Sequence, residues 1–113
     1  MESQAGGRVI VVRDVFDVYP DRIAEAEPLI RELQAIGVQI GLGPARVMID
    51  RSASYFERPL EYGQFVVERE FPTSEFFSEK SRVAMADDRW HRAWTACKPV
   101  VRRMRREILE AIG

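Results

Sequence analysis

The sequence predicts an α+β fold, an antiparallel four-stranded sheet with both helices on one face, and three observations carry that expectation. The first is the run over residues 8–18, where Val9, Val11, Arg13, Val15 and Asp17 alternate with Ile10, Val12, Asp14, Phe16 and Val18, so an extended segment is mainly apolar on both faces. The second is residues 63–71, where Phe65, Val67, Arg69 and Phe71 alternate with Gln64, Val66, Glu68 and Glu70. The third is helical spacing after the first strand (Ile23, Ala26, Ile30, Leu33, Ile36) and again late in the chain (Trp90, Ala93, Trp94, Cys97). The resulting order is β-α-β-β-α-β, the ferredoxin-like split βαβ arrangement.

Residues 1–7 read as a disordered leader, and 8–113 as a single domain. A strand with two apolar faces belongs in the middle of a sheet with something packed on either side. Tyr19, Pro20 and Asp21 end it, and Asp21 is the expected N-cap of the first helix. Pro28 removes one backbone donor inside that helix, so a kink or a later start is expected; Gly37 then serves as its C-cap. Gly41, Leu42, Gly43 and Pro44 make the connection to a short edge strand over 45–51.

The polar stretch 52–62 is longer than a tight turn and leads into the strand at 63–71. Ser74 is the expected N-cap of the second helical region, which breaks near residues 85–88 and restarts on Asp87 and Asp88, acidic groups suited to a helix N-terminus. Pro99 stops it. Residues 101–110 read as the last strand, although their four arginines fit a helix nearly as well.

Composition narrows the function classes. With 46% apolar residues the 113-residue chain can bury one modest core, and 31% charged residues balanced to a net −1 argue against disorder. That balance excludes a general attraction to nucleic acid or an anionic membrane surface. No apolar run reaches membrane-spanning length and no signal-peptide pattern opens the chain, so a cytoplasmic protein is expected. Arg102, Arg103, Arg105 and Arg106 are followed by Glu107 and Glu110, which favours structural pairing over a nucleic-acid patch. A lone Cys97 at helical spacing is a buried hydrophobe.

Two helices cover one sheet face. The second apolar face of the first strand therefore needs another cover, and an identical sheet related by a two-fold axis supplies it, so a homodimer is expected. The spacing from residues 12–21, through Phe65–Phe71 followed by Ser74, Glu75 and Phe76, to Asp87, Trp90, His91 and Trp94 and then 105–108, resembles the dimeric α/β-barrel superfamily. The nearest pattern is its NIPSNAP-like branch, with the antibiotic-biosynthesis monooxygenase-like branch beside it. The resemblance implies two sheets closing into a barrel across the dimer and a small cleft in each subunit between sheet and helices. Members of that superfamily include cofactor-independent monooxygenases acting on reduced polyphenols, haem-degrading enzymes, and proteins without a known activity. In the haem-degrading pattern an Asn, a Trp and a His stand approximately where this chain has Asp14, Phe71 and Trp94, and His91 comes about one turn too early. No haem or other cofactor is expected.

Standard motifs are missing: the sequence holds no phosphate loop, cysteine pair, metal-ligand histidine spacing or nucleophile elbow. The candidate catalytic groups are Asp14, a carboxylate within an apolar strand that must either pair with an arginine or act as a base, together with His91 and Arg69 to steady a developing enolate. His91 lies four residues after Asp87, which also suits a helix-surface ion pair. Phe16, Phe71, Trp90 and Trp94 are the candidate substrate-binding aromatics, with core packing as the competing role. Three functions remain open. They are a binder of a small aromatic or apolar molecule, a cofactor-independent monooxygenase or isomerase, and an interaction protein without a site.

Overall fold

The computed structural model describes residues 8–52 and 63–112. Strand β1 (Ile10–Val18) is central, paired antiparallel to β3 (Gly63–Phe71) on one side and β4 (Val101–Glu110) on the other, with the short β2 (Arg46–Ile49) beyond β3. The sheet order is β2-β3-β1-β4, so β2 and β4 are its edges. Residues 101–110 are a strand, which settles the ambiguity left by their arginines. The predicted leader and, apart from Ser52, the predicted loop at 52–62 lie outside the described residues.

Helices α1 (Ile23–Gln39), α2 (Ser74–Met85) and α3 (Asp88–Cys97) cover one face of the sheet. That face carries Ile10, Val12, Phe16 and Val18 from β1 with Phe65, Val67 and Phe71 from β3, all buried with Ala26, Ile30 and Leu33 of α1. The fold is the expected ferredoxin-like α+β arrangement, with the second helical region divided in two.

Several local expectations are corrected. Asp21 is not an N-cap, because a 3-10 turn (Pro20–Arg22) intervenes before α1. The helix continues through Pro28: Pro28 is exposed, so the freed carbonyl of Ala24, also exposed, can meet water. Gly37 lies inside α1 and is not its cap; the left-handed glycines are Gly41 (φ 97°) and Gly43 (φ 84°) in the connection that follows. Thr73, not Ser74, caps α2, its Oγ1 accepting from the Phe76 amide at 3.1 Å. Asp87 caps α3, accepting from the Arg89 amide at 2.8 Å.

Among the described residues no helix packs on the opposite sheet face. It carries cross-strand polar rows: Arg13 of β1 is bracketed by Glu68 of β3 (2.9 Å) and Glu107 of β4 (3.5 Å), and Asp17 accepts from Gln64 (2.9 Å) and pairs with Arg103 (2.9 Å). Between these rows Val15 stands level with Val66. No helix of the described residues is long and apolar enough to cross a membrane.

Candidate functional site

The helix-covered face of β1 presents Asp14 at its centre, flanked in register by Val67 of β3 and Arg106 of β4. That register decides its chemistry. Arg106 donates from Nε to Oδ1 at 2.7 Å and from Nη2 to Oδ2 at 3.0 Å, a two-point pair on a carboxylate whose side chain is 9% exposed. The expected arginine partner is therefore Arg106, which sequence alone does not distinguish from its neighbours.

Arg69 lies next along β3, opposite Val12, and is 6% exposed. Its guanidinium is held by neutral acceptors: Nε donates to the Gly43 carbonyl (3.1 Å), Nη1 to Gln34 Oε1 (2.5 Å) and Nη2 to the Gln34 carbonyl (3.2 Å). Each acceptor has a local cause. Gln34 stands on the buried stripe of α1, and the left-handed turn through Gly41 and Gly43 brings that carbonyl back over the sheet. Gly37, one turn after Gln34, leaves open the space that the guanidinium fills. Burial pushes the Arg69 pKa down to about 10, Asp14 opposing the shift and Arg106 adding to it, so the group remains a cation at neutral pH.

Asp14, Arg69 and Arg106 line one enclosed chamber of about 60 Å³, walled by Phe71, Phe77, Leu42 and Trp90. A second, more open cleft of about 340 Å³ lies between α3 and β4, lined by Trp94, His91 and Met104. Met85, Trp90 and Arg106 border both, so the chamber and the cleft adjoin across these three side chains.

The predicted site residues thus divide. Asp14, Arg69 and Phe71 border the inner chamber, Trp94 and His91 the outer cleft, and Trp90 both. Phe16 does not line either space: it is 0% exposed and stacks on Trp94, ring centroids 5.4 Å apart, so it buttresses a cleft wall from behind. His91 does not pair with Asp87, whose carboxylate is taken by Arg89; its Nε2 instead contacts the Met85 carbonyl at the end of α2. Sequence reasoning missed Gln34, Leu42, Phe77, Met85 and Met104. Of these only Gln34 carried a signal, as a polar residue on the apolar stripe between Ile30 and Gly37.

Chemically the two spaces offer aromatic and aliphatic walls, a carboxylate already engaged by one arginine, and a second buried arginine. No group of three or more His, Cys, Asp or Glu suited to a metal occurs among the described residues. Cys97 is buried, its thiol pKa raised by that burial, and it lines neither space.

No protein-family model and no curated protein matches this sequence. Solved structures do. A NIPSNAP family protein from Agrobacterium tumefaciens strain C58 superposes with a TM-score of 0.70 at 17% identity, covering 99% of this chain and 92% of that one. The chain shares the ferredoxin-like α+β fold of that protein. An uncharacterised NIPSNAP-like domain protein from Burkholderia xenovorans gives 0.71 at 16% identity, covering 93% and 86%. SnoaB, a cofactor-independent oxygenase from Streptomyces nogalater, gives 0.66 at 12% identity, covering 93% and 94%. Likeness at these identities is one of fold, and it joins the two branches that the residue spacing resembles.

Proposed function

We propose that this chain binds a small aromatic or apolar molecule in the space between its sheet and helices, and that it does so as a homodimer. The observation that carries the binding reading is the pair of adjoining spaces, inner chamber and outer cleft, that share Met85, Trp90 and Arg106 and have apolar walls with few convergent polar groups. An interaction protein without a site would have that space filled by side chains. The homodimer reading rests on the sheet face over which no helix of the described residues packs and on apolar groups left at the β4 edge, where Ile108 is 55% and Leu109 41% exposed.

The chain's two tryptophans, Trp90 and Trp94, both border the outer cleft, so their fluorescence reports on it. Titration with 3-phenyl-1-propanol, excited at the red edge of tryptophan absorption, is expected to give a saturable change in emission. No saturable change with this alcohol or its carboxylic acid analogue would sink the binding reading.

A second reading, a cofactor-independent monooxygenase or isomerase, is favoured by one arrangement: Asp14 and Arg69 share an apolar chamber, a carboxylate to take a proton and a cation to steady an enolate. Both Asp14 oxygens accept from Arg106, so proton transfer would use the remaining lone pairs. Oxygen uptake with an anthrone-type substrate tests the monooxygenase form; uptake that is absent, or unchanged in Asp14→Asn, overturns that form of the assignment.

A further inference from the structure

The inner chamber holds two guanidinium groups and one carboxylate. Asp14 and Arg106 satisfy each other through two hydrogen bonds. Arg69 is left over. It is 94% buried by its 6% exposure, it donates only to Gln34 and Gly43, and among the described residues no carboxylate lies within ion-pair distance of it. A buried cation whose nearest favourable charge, Asp14, is already engaged by Arg106 is a costly feature of a fold, and one that a bound anion relieves.

Donor accounting supports the same conclusion. A guanidinium has five N–H groups. Arg69 uses three and Arg106 two in the hydrogen bonds above, which leaves N–H groups on both side chains that border the chamber. The size fits as well. At the ~15 Å³ needed to seat one water, the chamber of about 60 Å³ takes roughly four small groups, the scale of a carboxylate and the carbon that bears it. The outer cleft, about 340 Å³ and walled by Trp90 and Trp94, is the scale of an aromatic ring.

Resting on the binding reading above, we infer that the ligand is a monoanion: a carboxylate seated in the inner chamber against Arg69, with its aromatic or apolar body in the outer cleft. Asp14 is already paired, so the ligand's single charge would balance the chamber. A dianion would overcharge it. Arg69 would be the selecting residue, because Arg106 is committed to Asp14.

The test compares 3-phenylpropionate with 3-phenyl-1-propanol at pH 7, using tryptophan emission in the intact protein. The acid is expected to bind about tenfold more tightly than the alcohol, because the guanidinium then meets a full opposite charge and not a neutral oxygen. Arg69→Gln is expected to abolish the preference for the acid over the alcohol, and Arg69→Lys to keep part of it. The comparison on the unaltered chain decides the matter even where a variant fails to fold. An acid bound no more tightly than the alcohol overturns the anion inference and leaves the binding reading standing. A preference that survives in a folded Arg69→Gln overturns the role of Arg69, and failure of both ligands to bind overturns both readings.

Discussion

A β-carbon at Gly37 of α1 would overlap the guanidinium of Arg69 on β3, and would press on the Trp90 ring at 3.2 Å. Gly37→Ala therefore sets two effects against each other. Alanine favours a helix interior by about 1 kcal/mol, whereas moving the guanidinium breaks its bonds to Gln34, and leaving buried polar groups unpaired costs about 1–3 kcal/mol each. The displacement wins. Urea denaturation is expected to show a net loss of about 1–2 kcal/mol; an unchanged or raised midpoint would mean that Arg69 relocates at no cost.

Replacing Asp14 separates stability from binding. Asp14→Asn leaves Arg106 facing Arg69 with no carboxylate between them. Breaking a buried pair costs about 3–5 kcal/mol, and the 38% exposure of Arg106 reduces this to about 1–3 kcal/mol. Affinity for 3-phenylpropionate should rise, because the chamber then carries two cations. Calorimetric titration of the variant checks this; weaker binding of the acid would place the carboxylate of Asp14 on the ligand side of the pair.

Acid exposes a different contact. The Asp87 pKa is lowered to about 2, chiefly by the hydrogen bond from the Arg89 side chain and with help from backbone amides at the start of α3. A depressed carboxylate pKa means that the contribution is fully present above the unfolded value near 4 and is lost as pH falls through about 2. Asp87→Ala should lower the melting temperature by a few degrees at pH 7. The gap between variant and parent should narrow between pH 4 and pH 2, and a gap independent of pH would exclude the charge as its source.

On the sheet face opposite the helices Val66 is half-buried beside Val15 and lies between Glu68 and Gln64 along β3. Sedimentation of the parent chain is expected to give twice the chain mass. Val66→Glu adds a carboxylate to a face already carrying Glu68, so two such faces should separate and the mass should halve. A monomeric parent would refute the homodimer reading directly.

Much of the sheet was legible because its side chains alternate: the doubly apolar β1 announced its central place, and Gly63–Phe71 its half-buried one. Helix ends were less so. Thr73 and Ser74 are both good capping residues, and only the backbone decides between them. Gly37 looked like a terminator because glycine ends many helices, whereas here it makes room for a side chain from another element, a tertiary demand with no local signature. The same holds for the site. Asp14 stood out as a charge in an apolar strand, but its partner depended on strand register, which alternation does not fix. Phe16 and Trp94 were equally aromatic in sequence, and their stacking order, one behind the other, follows only from packing.

Arg69 also bears on how long the molecule lasts. Its charge is held beneath α1 against neutral acceptors, a burial penalty that the anion proposed above would offset. A ligand that binds only the folded state slows the excursions in which proteases find a chain, in proportion to its concentration over its dissociation constant. Abundance would then follow supply: copies without cargo would be cleared first, and the pool of protein would track the pool of the small acid it holds.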